Sequence, residues 1–168
     1  MKKLISVLFV AILAVCLCAC VPNKTTYDGV EVLRIETVRW EGFAPFPRTF
    51  ERTFDFEHGK ITDARKADDE YLDKDNRNEY NRPKKIATFT AKQGQALVDE
   101  IGDLGFFDWK ERYETDEVIN DAGANRINVY FADGTEKSTL IYFMDPPNYG
   151  QICDAIEKAF GVKIYSEL

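Results

Sequence analysis

The chain has 168 residues, 45% hydrophobic and 30% charged, with a formal net charge of −7. That balance describes a folded globular protein and excludes a disordered tail or a collagen-like repeat. The acidity also argues against nucleic acid, whose phosphates require basic surface.

The apolar residues are unevenly spread. Met1-Lys2-Lys3 forms a short basic segment, and Leu4 to Val15 is an apolar run broken only by Ser6. Together they have the form of an export signal, to be set aside from the fold. Leu17-Cys18-Ala19-Cys20 follows. This motif resembles the lipobox of bacterial lipoproteins: a Leu, two small residues and the Cys that becomes the mature N-terminus. The resemblance implies a signal peptide over 1–19, with Cys20 carrying palmitate-type acyl chains. It also implies an exported protein held on the cell membrane or outer membrane. More than one acyl chain makes such anchoring stable. Cys16 and Cys18 fit less well, because Val15 and Leu17 are bulky for the residue before a cut. Val21 is not Asp, which favours the outer membrane where a host has two. An uncleaved signal anchor over Leu4 to Val21 is the alternative, at the short limit for spanning a bilayer.

Without residues 1–19 the chain has 20 basic and 29 acidic side chains, a net charge of −9. Cys153 is then the one cysteine besides the anchor, so no disulfide within the domain is expected. Residues 20–29 read as the lipidated Cys and a short tether, and residues 30–168 as one domain.

Val30 to Trp40 is rich in Val, Ile and Leu and reads as a strand. Arg48 to Glu57 alternates, with Phe50, Phe54 and Phe56 on one face and Glu51, Thr53, Asp55 and Glu57 on the other. His58-Gly59 signals a turn into a strand at Lys60 to Ala64. Residues 63–85 hold fourteen charged residues, seven of each sign, and read as a charged loop or insertion. Ile86 to Phe89 is a short strand. Thr90 and Gln93 have the spacing of a capping box, opening a helix with Gly94, Leu97, Val98, Ile101 and Leu104 on its apolar face and Gly105 at its end. Ile127, Val129 and Phe131 lead to Asp133-Gly134, read as a type I′ turn, with a return strand from Thr139 to Phe143. After Asp145-Pro146-Pro147 a second helix places Ile152, Ala155, Ile156, Ala159 and Phe160 on one face, and Gly161 stops it. Val162 to Tyr165 reads as a last strand.

The expected class is α+β, an antiparallel sheet with two helices on one face. From residue 86 the order βαββαβ matches a ferredoxin-like unit, extended by the N-terminal strands. The alternative is one sheet on two helices without that strand order. The middle of the chain also resembles small exported bacterial domains of unknown function. The shared features are Gly105-Phe106-Phe107, Tyr113, Asp121 and the hairpin, over about a third of the chain. The resemblance implies export and an α+β fold, not an activity.

Motifs for catalysis are sparse. One His and one non-anchor Cys cannot assemble a Cys/His zinc site. His58 falls on a turn, and no residue is assigned to catalysis or to a cofactor. Asp73, Asp75 and Arg77 imitate the spacing of a calcium loop, but Arg77 stands where a ligand is needed and no Gly follows at the sixth position. Residues 99–121 hold nine acids against Lys110 and Arg112. Within them Asp108, Glu111, Glu114, Asp116, Glu117 and Asp121 are a candidate face for a basic partner or a calcium ion; the alternative is a solvated surface. Trp40, Phe43 and Phe46, the two Phe in a Pro-stiffened loop, are candidate partner-binding residues.

The expectation is a lipid-anchored envelope protein whose domain binds another envelope protein. A carboxylate-based hydrolase of envelope glycan and an accessory subunit of an envelope complex are the alternatives. A hydrolase requires two facing carboxylates in a cleft with a shifted pKa. A binding domain requires an exposed apolar patch or a free sheet edge.

Overall fold

The computed structural model describes residues 24–41, 48–67, 82–115 and 123–166. Among these residues one sheet of eight strands carries two helices, which bears out the α+β class. In chain order these are β1 (Thr26–Tyr27), β2 (Val30–Glu41), β3 (Arg48–Asp55), β4 (Lys60–Ala67), β5 (Lys84–Thr88), α1 (Ala91–Asp103), β6 (Arg112–Glu114), β7 (Ala124–Phe131), β8 (Glu136–Tyr142) and α2 (Tyr149–Phe160). A 3₁₀ turn at Phe106–Asp108 precedes β6. The strand order is β5-β4-β3-β2-β7-β8-β6, with β1 paired to β2. Among the described residues only the β6–β8 pair is parallel.

The ferredoxin-like order expected from residue 86 does not appear. β5 lies at the far edge beside β4, separated from β7 by three strands. Val162 to Tyr165 forms no strand. That segment lies across the sheet's inner face, where side chains satisfy its backbone: Thr37 Oγ1 donates to the Ile164 carbonyl at 2.6 Å, and Arg52 Nη1 donates to the Lys163 carbonyl. The arrangement is the alternative one, a single sheet packed on two helices.

Two boundaries also move. β4 runs through Ala67 and β5 begins at Lys84, so the charged stretch 63–85 yields both its ends to strands. The tether expected over 20–29 is shorter, because Thr25 is buried and β1 pairs back onto β2. Asp28 (φ 49°) and Gly29 (φ 79°) make that tight turn, both left-handed as a type I′ turn demands. Gln95 of α1 then clamps β1, accepting from the Thr26 N–H at 2.7 Å and donating to the Thr26 carbonyl at 2.9 Å.

Alternation, interrupted on β2 by a bulge between Val32 and Arg34, explains the layers. The bulge puts Val32 on the same face as Ile35, and with them Phe54 on β3, Ile61 on β4 and Ile127 and Val129 on β7 point to the helices. Leu97, Val98 and Ile101 of α1 meet them, as do Ile152, Ala155 and Ile156 of α2. α1 begins with the expected capping box, Thr90 and Gln93 exchanging hydrogen bonds. It ends at Gly105 in the left-handed region (φ 78°). Among the described residues no helix is long and apolar enough to cross a membrane.

Candidate functional site

Among the described residues both helices lie on one face of the sheet, and none covers the other. β2 presents Arg34, Glu36, Val38 and Trp40 there, and β7 presents Arg126, Asn128 and Tyr130. Cross-strand pairing ties these into short polar chains. The Arg34 guanidinium stacks on Tyr130, 4.0 Å from the ring centroid, while its Nε reaches Glu36 at 2.9 Å. The Tyr130 hydroxyl donates to the same carboxylate at 2.8 Å. Burial, followed by that carboxylate, pushes the Tyr130 pKa up, so the phenol stays a donor. Ser138 Oγ donates to Asn128 Oδ1 at 2.8 Å.

Trp40 lies at the far end of β2, half-buried under Arg126, whose guanidinium sits 5.2 Å from the ring centroid. Such stacking uses the flat, weakly hydrated face of Arg and leaves its edge donors available. Arg126 carried no signal in the sequence. Its relevance appears only once β2 and β7 are neighbours, because no local motif links residues so far apart in the chain.

Arg126 also lines one wall of a polar groove of about 720 Å³. The opposite wall is Trp109, Lys110 and Glu111, and the floor is Glu136 to Ser138 and Leu140 at the start of β8. The groove exists because β6 is short. The Glu111 carbonyl accepts from the Leu140 N–H at 2.8 Å, and β6 pairs with Leu140 to Tyr142 only. Side-to-side alternation of backbone N–H groups then points the Ser138 N–H toward the same edge, beyond the reach of β6. β7 pairs with Glu136 to Ser138 on one side, and on the β6 side no strand among the described residues pairs with them.

The candidate residues are thus placed separately. Glu111 lines the groove on the wall across from Arg126. Asp108 is exposed in the 3₁₀ turn, where it helps raise the pKa of Tyr27 after burial, the larger cause. Glu114 is exposed at the sheet edge and paired to Arg112 at 2.7 Å. Glu100 and Asp103, the more N-terminal acids of the stretch, instead line a shallow cleft between α1 and α2 with Asp154 and Lys158. Phe43, Phe46, Asp116, Glu117 and Asp121 fall outside the described residues. Among the described residues no three His, Cys, Asp or Glu side chains are grouped to hold a metal.

His58 is exposed in the β3–β4 turn, its Nδ1 3.0 Å from the Asp55 carboxylate. Partial burial would raise the Asp55 pKa, but hydrogen bonds from His58 and Lys60 outweigh it and hold the group low. Cys153 is half-buried, and burial pushes its thiol up to about 11. Such a thiol is a weak donor and a poor nucleophile.

No family model matches the chain, and neither do curated proteins or solved structures.

Proposed function

We propose that the protein is exported, held to the membrane by acyl chains on Cys20, and non-catalytic. Its domain binds an extended segment of another envelope protein. The observation that supports this reading is the free edge of β8 over Glu136 to Ser138, opening into the groove walled by Arg126 and Lys110. An extended peptide laid there continues the sheet in the place that β6 leaves vacant, gaining backbone hydrogen bonds for affinity. Lys110, Arg126 and Lys137 outnumber Glu111 and Glu136 around it, a locally cationic site on an acidic chain. The preferred segment is therefore one with acidic side chains.

A photo-reactive residue in place of Ser138, expressed in intact cells, tests the docking. Adducts should map to one extended acidic segment of one identified protein, and should vanish when that segment is deleted. A matching substitution at exposed Lys92 on α1 should give none. Recovery of the monomer alone overturns the binding reading. Cys20→Ser tests the anchor separately: the wild-type chain should label with radioactive palmitate and sediment with membranes, and the variant should do neither.

A further inference from the structure

The vacant edge of β8 is closed at one end. In the β6–β8 pair Arg112 lies opposite Leu140, and the Glu111 carbonyl already takes the Leu140 N–H at 2.8 Å. β6 therefore occupies the same line that a peptide beside Glu136 and Ser138 would follow. Such a peptide cannot pair past Ser138, because the position opposite Leu140 is filled. Trp109 to Glu111 wall off the groove on the side away from β8. Trp109 is 4% exposed and its Nε1 donates to the Pro147 carbonyl at 3.0 Å, so this wall is anchored in the core. An extended segment must end where β6 begins, or leave the sheet there.

The two ends of the vacant edge also differ in charge. At the closed end Lys110 precedes Glu111, and Arg126 stands across from Leu140 on β7. Both cations are exposed, against the single carboxylate of Glu111. Arg126 lays the face of its guanidinium on Trp40, which fixes the group and leaves its edge donors for a ligand. At the open end Glu136 supplies a carboxylate, while the Lys137 ammonium is taken by the Phe107 carbonyl. The groove is thus positive where it closes and negative where it opens.

A chain that stops at the closed end brings either a free ammonium or a free carboxylate to it. Two cations against one carboxylate select the carboxylate. We propose that the groove takes the C-terminal residues of its partner, paired parallel to β8 as β6 is, with the terminal carboxylate on Arg126 and Lys110. The inference rests on the reading that the groove binds an extended peptide, and names which part of the partner enters and in which direction. Backbone pairing alone has no preference for a chain end. The preference comes from the filled Leu140 position and the two cations.

Two pools of synthetic random octapeptides, one ending in a free carboxylate and one in a carboxamide, are passed over the immobilised full chain in detergent. Retained sequences should come from the free-acid pool. Resynthesised singly, each should bind about tenfold more weakly as its amide, and as weakly when two glycines follow its last residue. Arg126→Gln should weaken the free acid about tenfold and leave the amide unchanged. It should also keep the melting temperature, because the side chain is exposed. A photo-reactive group on the last residue should label Lys110 to Arg112, and one about four residues earlier should label Glu136. Amides or glycine-extended peptides that bind as well as the free acids, and cross-link at Ser138, overturn this inference and leave the peptide-binding reading standing. The reversed labelling order does the same. Retention of nothing from either pool overturns both.

Discussion

The residue that most defies its neighbours is Arg52. It falls on the same face of β3 as Phe50 and Phe54, pointing under the helices, and its side chain is 7% exposed. Its partner is Asp63, directly opposite on β4 and 2% exposed, through a two-pronged ion pair of 2.6 and 2.7 Å. Ser166 Oγ donates to the same carboxylate at 2.9 Å. Removing the cation leaves a buried carboxylate with one hydroxyl donor, so Arg52→Met should cost about 3–5 kcal/mol. Urea unfolding reads this as a lowered midpoint with an unchanged slope. The pair R52M/D63L should recover much of the loss, because the uncompensated charge is gone. Cys153 makes a second prediction at this scale. Its pKa moves from 9.0 to about 11, chiefly through burial. Keeping the thiol protonated therefore adds stability that is complete below pH 9 and fades as pH rises through about 11. At pH 8 the thiolate population, and with it the alkylation rate, should be roughly a hundredfold below that of an exposed cysteine. Peptide mapping after timed iodoacetamide treatment measures it, and a rate equal to that of a model thiol refutes it.

Among elements, α1 shows how glycine misleads when read by propensity alone. Gly94 and Gly102 each weaken an isolated helix by about 1 kcal/mol relative to Ala. At Gly102, however, a Cβ would sit 2.7 Å from Cε2 of Tyr27, whose ring stacks on Phe107 at 3.9 Å between centroids. Gly102→Ala should therefore destabilise by about 1–2 kcal/mol despite the better helix former, because the stack must shift. Thermal melts of the variant beside Ala96→Gly, an exposed site on the same helix, separate close approach from propensity. The apolar stripe and capping box of α1 were readable because their signals are local: Thr90, Gln93, Leu97, Val98 and Ile101 lie within three turns. The β7–β8 hairpin was readable from alternation, but its turn differs. Asp133 stays outside the left-handed region and only Gly134 enters it (φ 86°), so the turn is not type I′. The type I′ turn is at Asp28-Gly29, in residues read as a tether, because the strand before it is two residues long and shows no alternation. Strand order was not readable at all. It depends on which edges meet across the whole chain, and both the Arg126–Trp40 stack and the open end of β8 follow from it.

The whole molecule has two different ends. β1 and the Asp28-Gly29 turn lie where β2 starts, and Trp40 lies where it finishes, ten residues and about 33 Å away. β8 runs parallel to β2, since each is antiparallel to β7. Phe143 and Met144, exposed by 45% and 47%, therefore share the Trp40 end. Phe143 also adopts a left-handed backbone (φ 65°), a strained conformation for a bulky residue. On the proposed anchor, Cys20 precedes Lys24 by four residues, a reach of about 14 Å at most. The β1 end is then held near the acyl chains, and the strained aromatic end stands away from the lipid, turned toward other envelope components. Nitroxide-labelled lipids test this polarity. With Trp109 replaced by Phe, lipidated protein in liposomes should show little quenching of Trp40. Adding Lys24→Trp, at an exposed site beside β1, and replacing Trp40 by Phe should move the fluorophore to the other end, where quenching becomes strong. Equal quenching at the two positions would mean the domain lies flat on the bilayer, and the proposed separation of anchor end and outward end would fall.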